Sequence, residues 1–201
     1  MEIIYEDENI QVVKKPAGIS IDKFEKPAHR LDKDTSGVLL LAKDDKTLEF
    51  LQKQFKERKA KKKYLALAVG NLKNKQAKIE TLLGRSPKDR RKQKVYLSHD
   101  PKAKGKRTAI TEYKVLQRFK NYDLIEVEPQ TGRKHQIRVH LAYLGHPIAG
   151  DKMYGFKNQP CPKGLSRQFL HSSFLRIELP SGEIKEFESA LPKNLKQCLP
   201  N

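Results

Sequence analysis

Apolar residues along this chain come in short runs, separated by polar stretches that hold most of the turn-forming residues. Residues 3–5 and 10–13 are β-rich runs on either side of Glu6-Asp7-Glu8-Asn9, the pattern of a hairpin, and Lys15-Pro16-Ala17-Gly18 ends its second strand. Residues 38–42 are apolar throughout, which predicts a strand buried on both faces. Asp44 or Asp45 is placed to cap a helix running to about Arg58, with Leu48, Leu51 and Phe55 at helical spacing. Residues 64–69 read as a strand stopped at Gly70, and 79–83 as another. Residues 85–107 predict a basic loop or extended hairpin, and 108–116 and 122–127 alternate as paired strands. Residues 128–132 form a turn in which Gly132 lets the chain swing into a helix over 134–144, with Ile137, Leu141 and Leu144 on one face and Arg138 off it. Residues 174–179 and 184–188 make a hairpin around Pro180-Ser181-Gly182.

Many strands, few helices and mostly hairpin connections predict an α+β fold with a mixed, largely antiparallel sheet and flanking helices. The strands are not regularly interrupted by helices, and the chain carries neither a GxGxxG nor a P-loop, which argues against a doubly wound nucleotide-binding fold. Its 201 residues suffice for one domain, or one domain in two lobes. The longest apolar runs are too short to span a bilayer, and the acidic start lacks the basic and apolar regions of a signal peptide. Cys161 and Cys198 form no CxxC pair, so a disulfide framework and a cysteine zinc site are not expected. These features predict a soluble, cytoplasmic protein.

Charge changes the picture. Lys plus Arg number 42 against 24 acids, a net +18, which calls for a polyanionic partner. Membrane binding would want a basic amphipathic helix with exposed aromatics; there is no Trp, and the basic runs lack a strong apolar stripe. Nucleic acid is the better match. The cations gather in two clusters, Lys53 to Lys63 and Arg85 to Arg107, which fits phosphate contact.

Three elements carry candidate chemistry. In His29-Arg30-Leu31-Asp32-Lys33-Asp34-Thr35-Ser36-Gly37, Arg30 and Asp32 sit two apart and share a side of an extended segment, which sets a carboxylate beside a cation at the lip of a buried strand. Asp34, Thr35 and Ser36 shape the turn. Tyr64 heads a strand after a basic run. Arg133 projects from the junction Thr131-Gly132-Arg133-Lys134-His135-Gln136-Ile137-Arg138-Val139-His140-Leu141. His135, His140 and His146 do not align on a helix face and lack a matching acid or cysteine set, so helix packing and capping, not metal binding, are their expected roles.

The block from His29 to Gly37 resembles the catalytic motif of the RluA/RluD-type pseudouridine synthases. The resemblance extends to Val13-Lys14-Lys15-Pro16-Ala17-Gly18, Lys63-Tyr64-Leu65-Ala66-Leu67, the block from Thr131 to Leu141, Gly145-His146-Pro147-Ile148 with Gly150-Asp151, Leu170-His171-Ser172 and Leu179-Pro180, in order along nearly the whole chain. It implies a pseudouridine synthase-like fold with a central cleft and an enzyme that isomerises uridine in RNA with no cofactor and no metal; a single catalytic domain over 1–201, a monomer and rRNA or tRNA as substrate are expected, and, unlike some members, no N-terminal S4-type domain. By resemblance Asp32 is the catalytic aspartate, Tyr64 the active-site aromatic, Arg133 the basic partner of Asp32, and Arg30 the residue that pushes into the RNA as the uridine flips out. Further RNA contacts are expected from Lys61, Lys62, Lys63, Arg90, Arg91 and Arg138. The stretch between the KPAG turn and HRLD is shorter than is common in the family, so an RNA-contacting loop is expected to be trimmed.

The chemistry is compatible. Breaking the N1–C1′ bond and joining C5 to C1′ needs one ionised carboxylate, acting as nucleophile at C1′ or assisting elimination to a glycal. The target base must leave its stack, and Tyr64 is placed either to stack on the uracil or to take the C5 proton. Two other readings compete: an RNA-binding or ribosome-assembly factor that keeps the fold without catalysis, and a nuclease, for which no metal-binding acid cluster is evident. The set Asp32, Tyr64 and Arg133 favours the isomerase, because a pure binder has no need of it.

Overall fold

The computed structural model describes residues 1–200, with ten strands, two longer helices and short helical turns among them. The chain divides into two compact units: residues 1–64 with 170–192, and residues 65–169 with the C-terminal residues from 193. The fold is α+β and largely antiparallel, as the sequence pattern predicts.

In the first unit β1 (Glu2–Glu6), β2 (Ile10–Lys15), β3 (Ser36–Ala42) and β9 (Leu170–Glu178) lie in that order, with β10 (Ile184–Glu188) on β9. Every residue of β3 is buried, which accounts for its unbroken apolar run. The pairing of β3 with β9 is parallel, through Ser36 opposite His171 and Gly37 opposite Ser172. Helix α1 (Asp45–Glu57) starts where Asp44 caps it: Oδ1 accepts the Thr47 N–H (2.8 Å) and Oδ2 the Thr47 hydroxyl (2.6 Å). It ends at Arg58, which adopts the left-handed conformation (φ 63). Gln54 ties the helix to the edge of β9, its Nε2 donating to the Glu178 carbonyl (2.7 Å) and its Oε1 accepting the Glu178 N–H (3.1 Å). Leu51 joins Val12, Val38, Leu40, Leu175 and Ile177 in the core beneath.

In the second unit the order is β4, β8 (Tyr122–Pro129), β7 (Arg107–Arg118), β5 (Gln76–Arg85) and β6 (Gln93–Tyr96). Strand β4 (Lys61–Val69) begins three residues before the expected start, so Lys61, Lys62 and Lys63 belong to a strand and not to a loop. The basic stretch 85–107 holds one short strand, β6, paired antiparallel with β5. Helix α2 (Gln136–Tyr143) is shorter than the pattern suggests, because His135 ahead of it is left-handed (φ 57). The left-handed residue at this junction is therefore His135, where the sequence pointed to Gly132. Helix α2 contributes Val139 to a small core with Leu83 and Ala109.

Candidate active site

The segment leading into β3 is pinned along its length. Residues 26–29 run beside β3: the Ala42 N–H donates to the Lys26 carbonyl (3.0 Å), the Ala28 N–H to the Leu40 carbonyl (2.9 Å) and the Leu40 N–H to His29 Nε2 (3.2 Å). That last bond requires an unprotonated imidazole. Burial and the nearby positive charge of Lys62 hold His29 down at about 3. Arg30 is then exposed, Leu31 buried and Asp32 half-buried, the alternation of an extended segment. The Thr35 N–H closes the turn on the Asp32 carbonyl (3.0 Å).

Beneath this turn lies Lys15, fully buried at the end of β2. Its ammonium donates to the carbonyls of Pro16 (2.9 Å), Ile19 (2.8 Å) and Lys33 (3.0 Å). One cation thus clasps the KPAG turn to the loop that carries Asp32. The Gly18 N–H donates to the same Lys33 carbonyl (2.9 Å).

Gly37 fixes the spacing on the other side. Its φ is +117, and a Cβ there would stand 2.0 Å from the Ser172 carbonyl oxygen. Next to it Ser36 and the fully buried His171 form a directed chain: His171 Nε2–H donates to the Ser189 carbonyl (2.9 Å), so Nδ1 accepts the Ser36 hydroxyl (2.9 Å).

Tyr64 is buried (6% exposed) in the same unit. Burial pushes its phenol well above the usual range, the Ser172 side chain pulls the other way, and the negative charge of Asp32 adds to the rise. Tyr64 is thus hydrogen-bonded by Ser172 and lies within the field of the Asp32 charge. Of the neighbouring lysines, Lys61 is exposed. Lys62 is half-buried with its ammonium 5.3 Å from the Phe55 ring centroid, and burial lowers it to about 8. Lys63 is half-buried with its ammonium 5.8 Å from the Phe174 centroid.

Arg133 is described in the second unit, and there its loop is held by one side chain. Gln136, 4% exposed, accepts on Oε1 from the Arg133 N–H (3.0 Å) and the Thr131 hydroxyl (2.7 Å). Its Nε2 donates to the Ile110 carbonyl (2.9 Å) and to Thr111 Oγ1 (2.9 Å). The Arg133 guanidinium itself donates through Nε to the Thr108 carbonyl (3.0 Å). Behind Gln136, the Thr111 hydroxyl donates to His140 Nδ1 (2.8 Å) and His140 Nε2–H to Thr81 Oγ1 (2.9 Å), a neutral imidazole that burial holds down at about 4. His135 and His140 thus serve packing and hydrogen bonding, His135 through Tyr154 (2.8 Å).

Two of the residues expected at the RNA are paired with carboxylates. Arg138 is buried: it forms a bidentate pair with Asp151 (2.7 and 2.9 Å) and its guanidinium carbon lies 5.0 Å from the Tyr154 centroid, so it braces α2. The position off the apolar stripe suggested exposure; a buried carboxylate thirteen residues on supplies the partner instead. Arg91 is exposed but spans both oxygens of Asp89 (3.0 and 2.9 Å) and draws that carboxyl down to about 2. Arg30 and Arg90 are exposed. Lys15, Ser172 and Gln136 went unremarked in the sequence reading except as parts of motifs. Their partners fall both close by, as Pro16 and Ile19 do for Lys15, and far off, as Ile110 does for Gln136, with no spacing that marks them.

Residues 21–143 match the RNA pseudouridylate synthase family. The chain is 37% identical over 228 residues to the ribosomal large subunit pseudouridine synthase D of Borreliella burgdorferi, covering 99% of this chain and 68% of that protein. The chain belongs to the RNA pseudouridylate synthase family. That makes it, by family, an RNA-modifying isomerase. It is also 40% identical over 194 residues to an uncharacterised RNA pseudouridine synthase of Aquifex aeolicus, covering 82% of this chain and 59% of that protein. The chain therefore spans about two thirds or less of these two relatives. Among solved structures, human RNA pseudouridylate synthase domain containing 1 superposes with a TM-score of 0.83 at 28% identity, covering 98% of this chain and 86% of that one. The synthase fold and the RluA/RluD-type resemblance both agree with these matches.

Proposed function

We propose that this synthase isomerises uridine in large-subunit ribosomal RNA, with Asp32 as the carboxylate that acts at C1′, Tyr64 as the aromatic face for the flipped uracil and Arg133 as the basic partner. What supports this reading is the Asp32 charge acting on the buried Tyr64, at the end of a loop clasped by Lys15. The choice of ribosomal RNA follows the relatives named as large-subunit synthases C and D.

A flipped uridine costs a few kcal/mol of stacking. Stacking on Tyr64 returns about 1–3 kcal/mol. A phenol held far above its usual range keeps its proton in the resting enzyme. Tyr64 therefore acts first as a stacking face and not as a waiting base. Arg30, exposed two residues before Asp32, enters the helix as the uridine leaves, and Lys61, Lys62 and Arg90 meet the backbone. The enzyme works as a monomer in the cytoplasm.

The test is Asp32→Asn, assayed for pseudouridine in large-subunit RNA that lacks the modification. Conversion should vanish while RNA affinity stays within about twofold. Conversion at the wild-type rate would remove Asp32 from the chemistry; full binding by an unaltered chain with no conversion at all would favour a pure RNA-binding role.

A further inference from the structure

We propose that Lys94 and Lys106, both held over the ring of Tyr96, form a binding site for a backbone phosphate of the substrate RNA. The inference rests on the reading that the chain acts on RNA, and it names a contact outside the Asp32 loop. Strands β6, β5 and β7 place the residues: Lys94 pairs with Gly84, and Leu83 with Arg107, beside Lys106. Tyr96 is buried (3% exposed), and its hydroxyl donates to the Arg85 carbonyl (3.0 Å). The Lys94 ammonium lies 5.4 Å and the Lys106 ammonium 5.0 Å from its ring centroid. Gly84 makes room for this: a Cβ there would stand 2.3 Å from Lys106 Cδ, so the lysine stem crosses the strand where the side chain is missing.

Two cations on one ring repel each other. Among the described residues no carboxylate pairs with either of them, whereas Arg91 in the same basic stretch is matched by Asp89. A phosphate bound by these ammonium groups offsets the repulsion and accepts charge-assisted hydrogen bonds from them. The ligand is a phosphate and not a base, because the two ammonium groups already lie over the Tyr96 ring. The contact is therefore indifferent to sequence and strongly dependent on salt.

The double variant K94Q/K106Q tests this by the affinity for a folded ribosomal RNA fragment between 50 and 300 mM KCl. Each lost phosphate contact removes about 0.9 from the slope of log K against log salt, so losing this one phosphate should lower the slope by about 0.9 and affinity at 0.15 M by about 5-fold. K193Q/K196Q removes the same charge from exposed lysines of the C-terminal helical turn and should leave the slope near wild type. Gly84→Ala keeps every charge but displaces Lys106, and should lose about half of the slope change. A double variant that matches wild type, or whose loss is equalled by K193Q/K196Q, overturns the site. Salt-independent binding by the wild-type chain would instead overturn the RNA reading itself.

Discussion

Replacing Gln136 by leucine should separate the Arg133 loop from the strand that supports it. The side chain makes four hydrogen bonds, and their partners do not lose equally. The Ile110 carbonyl keeps the Gln130 N–H (3.0 Å), and Thr111 Oγ1 keeps His140. The Arg133 N–H and the Thr131 hydroxyl proton are left without the acceptor they share. Two stranded donors at about 1–3 kcal/mol each give a loss near 4 kcal/mol. For a chain of this size that is a fall in Tm of about 10 °C. Arg133 would no longer be held in register, and a displacement of about an ångström costs up to about 100-fold in rate. Calorimetry and single-turnover pseudouridine formation read the two effects. Gln136→Glu is the companion: its carboxylate still accepts the Arg133 N–H but faces the Ile110 carbonyl, so it should lose stability and keep more of the rate. A Leu variant with Tm within about 2 °C of wild type and a rate within twofold would refute the clasp.

Two further outcomes follow from the same geometry. His140, held near 4 against about 6.5 unfolded, makes the unfolded chain bind the extra proton, so stability is complete above about pH 7 and is lost as pH falls through 6.5 toward 4. At pH 5 this amounts to about 2 kcal/mol, and urea midpoints of His140→Gln should show a shallower acid loss than wild type; an identical pH profile would remove His140 as the cause. Gly37→Ala must meet the Ser172 carbonyl and a left-handed φ together, and should cost at least about 2 kcal/mol in urea unfolding along with most of the turnover; a variant of wild-type stability would contradict the close approach.

Local patterns were legible in the sequence wherever one element explains itself. The unbroken apolar run of β3, the Asp44 cap with Leu51 inside α1, and the β9–β10 hairpin all depend on neighbours in sequence. Lys61, Lys62 and Lys63 read as a loop because three cations carry no strand signal. Two of them set their ammonium groups over Phe55 and Phe174, contacts that no local pattern announces. Arg138 read as exposed because nothing near it announces Asp151. The site divides the same way. Asp32, Tyr64 and Arg133 stood out as motif residues, while Lys15, Ser172 and Gln136, which bond to their loops or side chains, leave no periodic trace.

Gly37 gives the site an adjustment point that touches no reacting atom. The strand approach it permits sets how far β3 stands from β9. Asp32 hangs from the start of one strand, and Ser172, on the other, bears on Tyr64. Any side chain at position 37 would lengthen that one separation and move carboxylate and aromatic apart together. The atoms that a side chain at 37 would meet belong to the Ser172 backbone, so no substitution at 172 relieves the clash, and position 37 must stay glycine whatever residue stands opposite it.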